Sequence, residues 1–308
     1  MPLNICFSRS DFLPRKIEYT VPEDYDGIKA VTFLRSKCGV SSRLVGKLKK
    51  QEDGILLNGE RIRTIDKLKA GAKLEINIPD EGGVPEPVSA PLDIIYEDSD
   101  ILVINKSPFT AMHPTHNHQG DTLANAVAAY LLEKGQGGSF RAVGRLDKGT
   151  SGVVVCALNR LSASKLNGKI KKEYLALVQG TLSGSGVIDV PIYRPDPMKT
   201  LRACSYEKGV ETAVTNWTAV ENFENASLIR LNLETGRTHQ IRVHMAHTGH
   251  PLAGDSYYGS FMPQYRHQLL HCEKCSFIHP VTDEKVELTA PLPADFEAAL
   301  LKLRSGGI

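Results

Sequence analysis

The chain has 308 residues, of which 41% are hydrophobic and 23% are charged, and its net charge at pH 7 is +2. This composition is ordinary for a folded protein of about two domains. No apolar run approaches the ~20 residues that a membrane span needs, and residues 1–15 lack the apolar core of a signal peptide. We therefore expect a cytoplasmic protein whose cysteines are thiols. The cysteines are Cys6, Cys38, Cys156, Cys204, Cys272 and Cys275.

The small net charge hides an uneven distribution. Residues 1–80 contain 15 Lys and Arg against 11 Asp and Glu, whereas the remaining 228 residues contain 22 against 24. Six basic residues and no acidic residue lie between Arg35 and Lys50. Such a patch can attract phosphate through Coulomb attraction and counterion release, although a solvated helix face would look the same.

Two helices and a small sheet are predicted first along the chain. Apolar residues recur at helical spacing from Ile28 to Cys38, and Gly39 follows as a stop. Ser41 or Ser42 can cap a basic helix from Arg43 to Gln51. Residues 54–59 are typical of a strand that enters an Asn-Gly turn, and residues 73–78 alternate as a strand does.

The stretch from Val31 to Pro79 resembles the RNA-binding domain first found in ribosomal protein S-four. The resemblance rests on Ser41-Ser42-Arg43, on the Leu57-Asn58-Gly59 turn and on the basic second helix. It implies that Arg43, Lys47 and Lys50 contact RNA. The alternative is a generic unit of two helices and a sheet that only caps the rest of the chain.

The segment 81–91 is the clearest linker, because three prolines and two glycines in eleven residues cannot hold a helix or a central strand. We predict an N-terminal tail (1–16), an RNA-binding domain of two helices and a sheet (17–80), this linker (81–91) and a catalytic domain (92–308).

The part after the linker is rich in strand patterns. The predicted helices run from about Thr122 to Lys134, capped by Asp121, and from Pro293 to about Arg304. Because strands outnumber helices and do not alternate with them, we predict an α+β fold with a mixed, largely antiparallel sheet. The predicted strands are residues 101–105, 152–158, 174–178 and 228–233.

Asp147 is the first candidate for chemistry. It lies in Gly144-Arg-Leu-Asp-Lys-Gly-Thr-Ser-Gly152, where a probable turn meets an apolar strand. Loops at the ends of strands often carry reactive groups, although a turn aspartate that only accepts backbone hydrogen bonds is common. The neighbouring cations Arg145 and Lys148 weaken that alternative, since a simple turn needs neither.

The segment Thr235-Gly-Arg-Thr-His-Gln-Ile-Arg-Val-His244 is the second candidate. If it is extended, Gln240, Arg242 and His244 share one face; if it begins a helix, its free N–H groups favour an anion. In either case Arg242 could pair with Asp147 and form bidentate hydrogen bonds with it. The alternative is a polar cluster that only connects strands.

These blocks together resemble the RluA-type family of pseudouridine synthases, and the resemblance runs from about Leu92 to Leu303. The matching positions are Arg145-Leu146-Asp147 with Thr150-Ser151-Gly152, Lys172-x-Tyr174, residues 235–244, and Gly249-His250-Pro251-Leu252-x-Gly254-Asp255. The sequence departs from the family pattern at Gly144, where a histidine is usual, and its segment 159–169 is short for the helix expected there.

The resemblance implies a function and roles for particular residues. Asp147 would be the catalytic residue in the isomerisation of uridine to pseudouridine, and Arg242 would pair with it. Tyr174 would stack on the uracil and is a candidate base. Arg145 would fill the space left by the flipped nucleotide. We also expect RNA contacts from Arg237, His239 and Gln240.

Several further expectations complete this interpretation. No cofactor is expected, because the isomerisation involves no redox step. His271, Cys272, Cys275 and His279 look like zinc ligands but form an incomplete set, so no metal is predicted. The histidine-rich loop 113–118 is expected near the RNA cleft. Ribosomal RNA of the large subunit is favoured over transfer RNA as substrate, and a monomer is expected.

Two rival functions are weighed against this one. A non-catalytic RNA-binding or ribosome-assembly factor could use the same fold. A glycosidase-like hydrolase would need a second catalytic carboxylate, for which Asp255 is the only obvious candidate.

Overall fold

The computed structural model describes residues 14–80, 82–115, 118–259 and 262–306. In the N-terminal part, two short helices share one apolar core with a four-stranded antiparallel sheet of order β1-β4-β2-β3. The elements are β1 (Arg15–Thr20), α1 (Ala30–Ser36), α2 (Ser42–Leu48), β2 (Ile55–Leu57), β3 (Glu60–Arg61) and β4 (Lys73–Ile78).

Most of the predicted local signals in this part are confirmed. Ser41 caps α2, since its side chain accepts a hydrogen bond from the backbone N–H of Leu44. Asn58 and Gly59 have φ of +51° and +85°, as a tight turn between antiparallel strands requires. Strand β1, which begins at Arg15, was not predicted. Its inward side chains include one arginine and only one fully buried residue, Ile17, so the apolar alternation is weak.

The larger part of the chain is built on a ten-stranded sheet. Its main path is β10-β13-β14-β9-β15-β8-β6-β5, with β16 beside β15 and β7 beside β8. All neighbours are antiparallel except β15 and β8, which confirms the predicted mixed, largely antiparallel α+β fold. The first elements are β5 (Ile94–Glu97), β6 (Ile101–Lys106), α3 (Leu123–Glu133), β7 (Ala142–Val143), β8 (Ser151–Ala157) and α4 (Arg160–Leu166).

The remaining elements complete the sheet and its flanking helices. The last helix, α6, begins directly after Pro293 as predicted. A separate two-stranded ribbon is formed by β11 and β12. These elements are β9 (Lys171–Gln179), β10 (Ser185–Asp189), β11 (Ile192–Tyr193), β12 (Ala203–Cys204), β13 (Val214–Asn222), β14 (Ala226–Leu233), α5 (Gln240–His247), β15 (Leu270–Ile278), β16 (Lys285–Thr289) and α6 (Ala294–Arg304).

Strand β8 lies at the seam where the two antiparallel halves of the sheet meet in parallel. All seven of its residues are buried. Gly152 has a φ of +105°, and a Cβ there would lie 2.2 Å from the carbonyl oxygen of Cys272, so only glycine fits this close approach. The loop that carries Asp147 enters the sheet at this seam.

Helix α3 begins with a capping box that differs from the prediction. Thr122 is the N-cap and accepts from the backbone N–H of Asn125, whose side chain reaches back to the backbone of Thr122. The predicted cap, Asp121, is therefore wrong. Its carboxylate pairs instead with His118 Nδ1 at 2.6 Å.

Polar and apolar contacts join the two parts of the chain. Arg15 of β1 donates two hydrogen bonds to Asp100, at 3.0 and 2.7 Å, and Leu161 of α4 is part of the N-terminal core.

Residues 82–91 form neither helix nor strand. The predicted domain boundaries stay predictions. Within the described ranges, no helix has the length and apolar character to cross a membrane.

Candidate active site

Asp147 lies in the loop between β7 and β8. The buried Leu146 anchors this loop in the core, and the backbone N–H of Thr150 donates to the carbonyl of Asp147 at 3.1 Å. Gln268 supports the other side, because its Nε2 donates to Thr150 Oγ1 at 3.0 Å. The loop backbone is thereby fixed while the Asp147 side chain stays 18% exposed.

Arg242 of α5 connects Asp147 to a second carboxylate. Its Nη1 donates to Asp147 Oδ2 at 3.3 Å. Its Nε and Nη2 donate to the two oxygens of Asp255, at 2.7 and 2.8 Å. The pairing of Arg242 with Asp147 is therefore present. The bidentate geometry predicted for this pair is wrong, because Arg242 forms its two parallel hydrogen bonds with Asp255.

Asp255 supports Arg242 from a position that solvent does not reach. Its side chain is completely buried, and it also accepts from the backbone N–H of Tyr257. Burial opposes the charge of Arg242, but the hydrogen bonds with Asp255 and the nearby Asp147 outweigh it and raise the arginine pKa. Asp255 is closed to a substrate, which removes the second carboxylate that a glycosidase needs.

Helix α5 excludes the extended alternative for residues 240–244. His239 is its N-cap and has a φ of +58°, in the region that non-glycine residues rarely adopt. Its Nε2 lies 3.9 Å from Asp147 Oδ2 and its Nδ1 is 2.9 Å from the Tyr258 hydroxyl. Burial lowers the pKa of His239; Asp147 opposes this shift, whereas Arg242 adds to it. The imidazole is thus neutral at pH 7.

Aromatic rings cover the guanidinium of Arg242. Its Cζ lies 5.2 Å from the ring centre of Tyr257 and 5.3 Å from that of Tyr258, distances at which cation–π attraction operates. Neither tyrosine was singled out from the sequence. Both directly follow the Asp255 motif, but their contact with Arg242 depends on the fold of the loop.

Tyr174 of β9 lies beneath the site. It is 6% exposed, and burial, followed by the neighbouring Cys272 and Asp147, raises its pKa well above the ordinary value. Its hydroxyl is hydrogen-bonded to the Cys272 side chain. At neutral pH this hydroxyl therefore carries its proton.

Lys106 is a residue near the site that the sequence did not reveal. It is 1% exposed at the end of β6, and its ammonium donates to the carbonyl oxygens of Ser107, Thr110 and Lys148, at 2.8, 2.9 and 3.0 Å. Burial lowers its pKa to about 7, and Asp147 opposes this shift. Lys106 thus holds the carbonyl of Lys148, the residue that follows Asp147. A single lysine at a strand end gives no sequence signal of such a role.

Comparisons with known proteins identify the family of this chain. The family model described as RNA pseudouridylate synthase matches residues 100–247. The chain is 38% identical over 267 residues to the uncharacterized RNA pseudouridine synthase YjbO of Bacillus subtilis, covering 83% of this chain and 93% of that protein. The chain belongs to the RNA pseudouridine synthase family. It is also 37% identical over 280 residues to the ribosomal large subunit pseudouridine synthase D of Haemophilus influenzae, covering 83% of this chain and 85% of the relative.

A solved structure extends the agreement to the fold of this pseudouridine synthase. The human RNA pseudouridylate synthase domain containing 1 superposes with a TM-score of 0.54 at 25% identity, over 72% of this chain and 98% of that one. The mixed sheet therefore belongs to a fold that this chain shares with the human protein.

The predicted RNA-contacting residues of the synthase fall into two groups. Arg145 and Arg237 are exposed, as are Arg43 and Lys50, whereas Lys47 is half-buried. Gln240 is different. It is 2% exposed; its amide donates to Val214 and Thr215 and accepts from Thr235 and Arg237. The prediction that Gln240 contacts RNA is wrong, because every polar atom of its side chain is used to hold the loop before α5.

The histidines that suggested zinc are already hydrogen-bonded within the enzyme. His271 contacts Ser151 through Nδ1 and the carbonyl of Ala290 through Nε2. His279 contacts Asp98 through Nε2 and accepts two backbone N–H groups at Nδ1. The five cysteines within the described residues are free thiols; Cys6 lies outside them, as do His116 and Asn117 of the histidine-rich loop.

Proposed function

We propose that this pseudouridine synthase isomerises specific uridines in structured RNA with Asp147 as its catalytic residue. The observation that carries the proposal is the partial exposure of the Asp147 carboxylate beside Arg242, within a loop that is otherwise tightly fixed. A carboxylate held in this way is a reasonable nucleophile or ion-pair stabiliser at a sugar centre.

The reaction replaces one bond to the sugar by another. The bond between N1 of uracil and C1′ of the ribose breaks, the base rotates, and a bond between C5 and C1′ forms. The C5 proton passes to solvent and N1 gains a proton, so that substrate and product are isomers. Asp147 can take part by attack on the sugar, by attack on the base, or by helping to form a glycal.

The surrounding residues have complementary roles in the proposal. Arg242, anchored by Asp255, orients Asp147 and stabilises its charge. The ring of Tyr174 supports the uracil by stacking. The exposed Arg145 occupies the stack after the target nucleotide has been flipped out, since chemistry on a base requires its extrusion.

We further propose large-subunit ribosomal RNA as the substrate, with transfer RNA as the alternative. The name of the Haemophilus influenzae relative supports this choice. The exposed cations Arg43, in α2, and Lys50, just after it, also support it, because a basic surface can hold the RNA backbone. The N-terminal part would then act as an S-four-like RNA-binding domain. The cytoplasmic location and the monomeric state expected from the sequence stay predictions.

Release of tritium from C5-labelled uridine tests the proposal. The RNA comes from cells that lack this protein, so its target sites are unmodified, and it is fractionated into ribosomal and transfer RNA. We expect the wild type to release tritium from ribosomal RNA and Asp147→Ala to release none. Glu133→Ala, which removes an exposed carboxylate on α3, should match the wild type. Release from transfer RNA alone would show that transfer RNA, and not ribosomal RNA, is the substrate. Undiminished release by Asp147→Ala would overturn the assignment of Asp147 as the catalytic residue.

A further inference from the structure

Lys172 of β9 is a half-buried cation at the edge of the active site. It precedes Tyr174 by two residues, so both side chains project from the same face of the strand. A Cβ placed on Gly144 would lie 3.6 Å from Lys172 Nζ, and apart from residues 143–145 no other heavy atom of the described residues lies within 4 Å of that position. The ammonium is therefore next to the loop that continues through Arg145 to Asp147.

The charge of Lys172 has no anionic partner in the parts of the chain that the structure describes, and no hydrogen bond from its ammonium is formed there. The ammonium lies within electrostatic range of the thiols of Cys156, Cys272 and Cys275. Burial raises the pKa of Cys156 and of Cys275 to about 12, so these thiols are neutral at pH 7 and cannot balance the ammonium.

Gly144 leaves this ammonium uncovered. The glycine is exposed and has a φ of +76°, a conformation that residues with a side chain rarely adopt. Arg145, the next residue, is exposed as well. Two cations thus lie close to Asp147 along the chain or in space: Arg145 is in the same loop, and Lys172 Nζ is next to Gly144 of that loop.

We propose that Lys172 binds a phosphodiester oxygen of the substrate RNA beside the flipped uridine. A partly desolvated ammonium without a carboxylate is suited to a phosphate, which is the one anion that every RNA substrate brings to this position. Lys172 would fix the backbone while Asp147 acts on the sugar or the base. This inference rests on the proposed function of the site.

The test measures RNA binding separately from catalysis. The probe is a synthetic RNA stem-loop that carries the uridine mapped with the wild-type enzyme, and all proteins contain Asp147→Asn so that the RNA is not converted. Adding Lys172→Met should weaken binding roughly tenfold, as expected for the loss of a charged hydrogen bond. It should also reduce the slope of log K against log salt by about one.

Matched variants identify the cause of such a loss. Lys171→Met removes the same charge from the opposite face of the same strand and should leave both quantities unchanged. Lys172→Arg should retain most of the binding. If Lys172→Met does not fold, a neutral methylphosphonate on either side of the uridine provides the same test with Lys172 intact, and one of the two positions should weaken binding roughly tenfold.

Two results would overturn the inference. In one, Lys172→Met leaves the RNA affinity and the salt slope of the Asp147→Asn protein unchanged. Any effect of Lys172→Met in the enzyme with Asp147 intact would then be on the rate of tritium release alone. In the other, both methylphosphonates bind as the unmodified RNA does. Failure of the proposed function would look different, because the enzyme with Asp147 intact would then release no tritium at all.

Discussion

Two carboxylates of the larger part, Asp100 and Asp147, each pair with an arginine, but they differ in how completely they are used. Asp100 is 2% exposed; it accepts two hydrogen bonds from Arg15 and one from Asn159 at 2.7 Å. Within the described residues, Asp147 accepts one side-chain hydrogen bond, at 3.3 Å, and is 18% exposed.

The difference separates a structural ion pair from a reactive one. A saturated, buried carboxylate holds elements together, because any change would leave its partners unsatisfied. A carboxylate with one long contact still has lone pairs for a substrate. Asp98, Asp100 and His279 bring ligand atoms within 4.8 Å of one another, yet each is already held by protein donors or acceptors. Proximity of acidic groups alone is therefore not evidence of a functional site.

The largest expected effect comes from Asp147→Asn. Tritium release should fall by about a thousandfold or more, as for other groups that act directly on substrate. The free energy of unfolding, measured by urea denaturation, should change by less than about 1 kcal/mol, since only one hydrogen bond is lost. A large loss of stability would show that Asp147 is a structural residue like Asp100.

Asp255→Asn should have the largest effect on stability. It leaves the buried Arg242 without its bidentate partner, and breaking a buried pair in this way costs about 3–5 kcal/mol. Urea denaturation monitored by circular dichroism measures this loss. Glu287→Gln, which breaks an exposed pair with Lys285, is the control and should be close to neutral.

Asp100→Asn should lower stability without lowering the rate of the chemical step. We expect a loss of about 1–3 kcal/mol, because Arg15 and Asn159 lose a charged acceptor in a buried position. Single-turnover tritium release at saturating RNA should equal that of the wild type. A lower rate would mean that the contact between the two parts of the chain also shapes the active site.

Lys106→Met should change the pH dependence of stability rather than the rate of the reaction. In the folded protein the pKa of Lys106 is about 7, below its ordinary value of 10.5, so the unfolded state binds more protons between these pH values. Wild-type stability should therefore gain a contribution that grows as pH rises from 7 to 10. Urea denaturation across this range should show that Lys106→Met lacks the gain, whereas Lys302→Met, an exposed control, should keep it.

The sequence predicted much of the fold because the relevant signals are local. Alternation located β4, and runs of strand-favouring residues located β6, β8, β9 and β14. Ser41 and Pro293 marked helix starts, and the Asn58-Gly59 turn has the expected backbone. Strand β1 was not predicted, because its partner β4 is distant in sequence and its own alternation of apolar and polar residues is weak.

The candidate site was predicted less completely, for a related reason. The motifs identified Asp147 and Arg242, but the sequence alone did not show that Asp255 would take the guanidinium fork or that Gln240 would be buried. The support of the Asp147 loop by Lys106 and Gln268 also joins segments that are distant in sequence. Such contacts depend on how the sheet assembles.

The most direct test of the central claim compares single-turnover tritium release by Asp147→Asn and Asp100→Asn on the same RNA, with occupancy matched by measured affinity. We predict a rate for Asp100→Asn equal to that of the wild type and a loss of about a thousandfold or more for Asp147→Asn. Similar rates for the two variants would contradict the claim that the incompletely paired carboxylate is the reactive one.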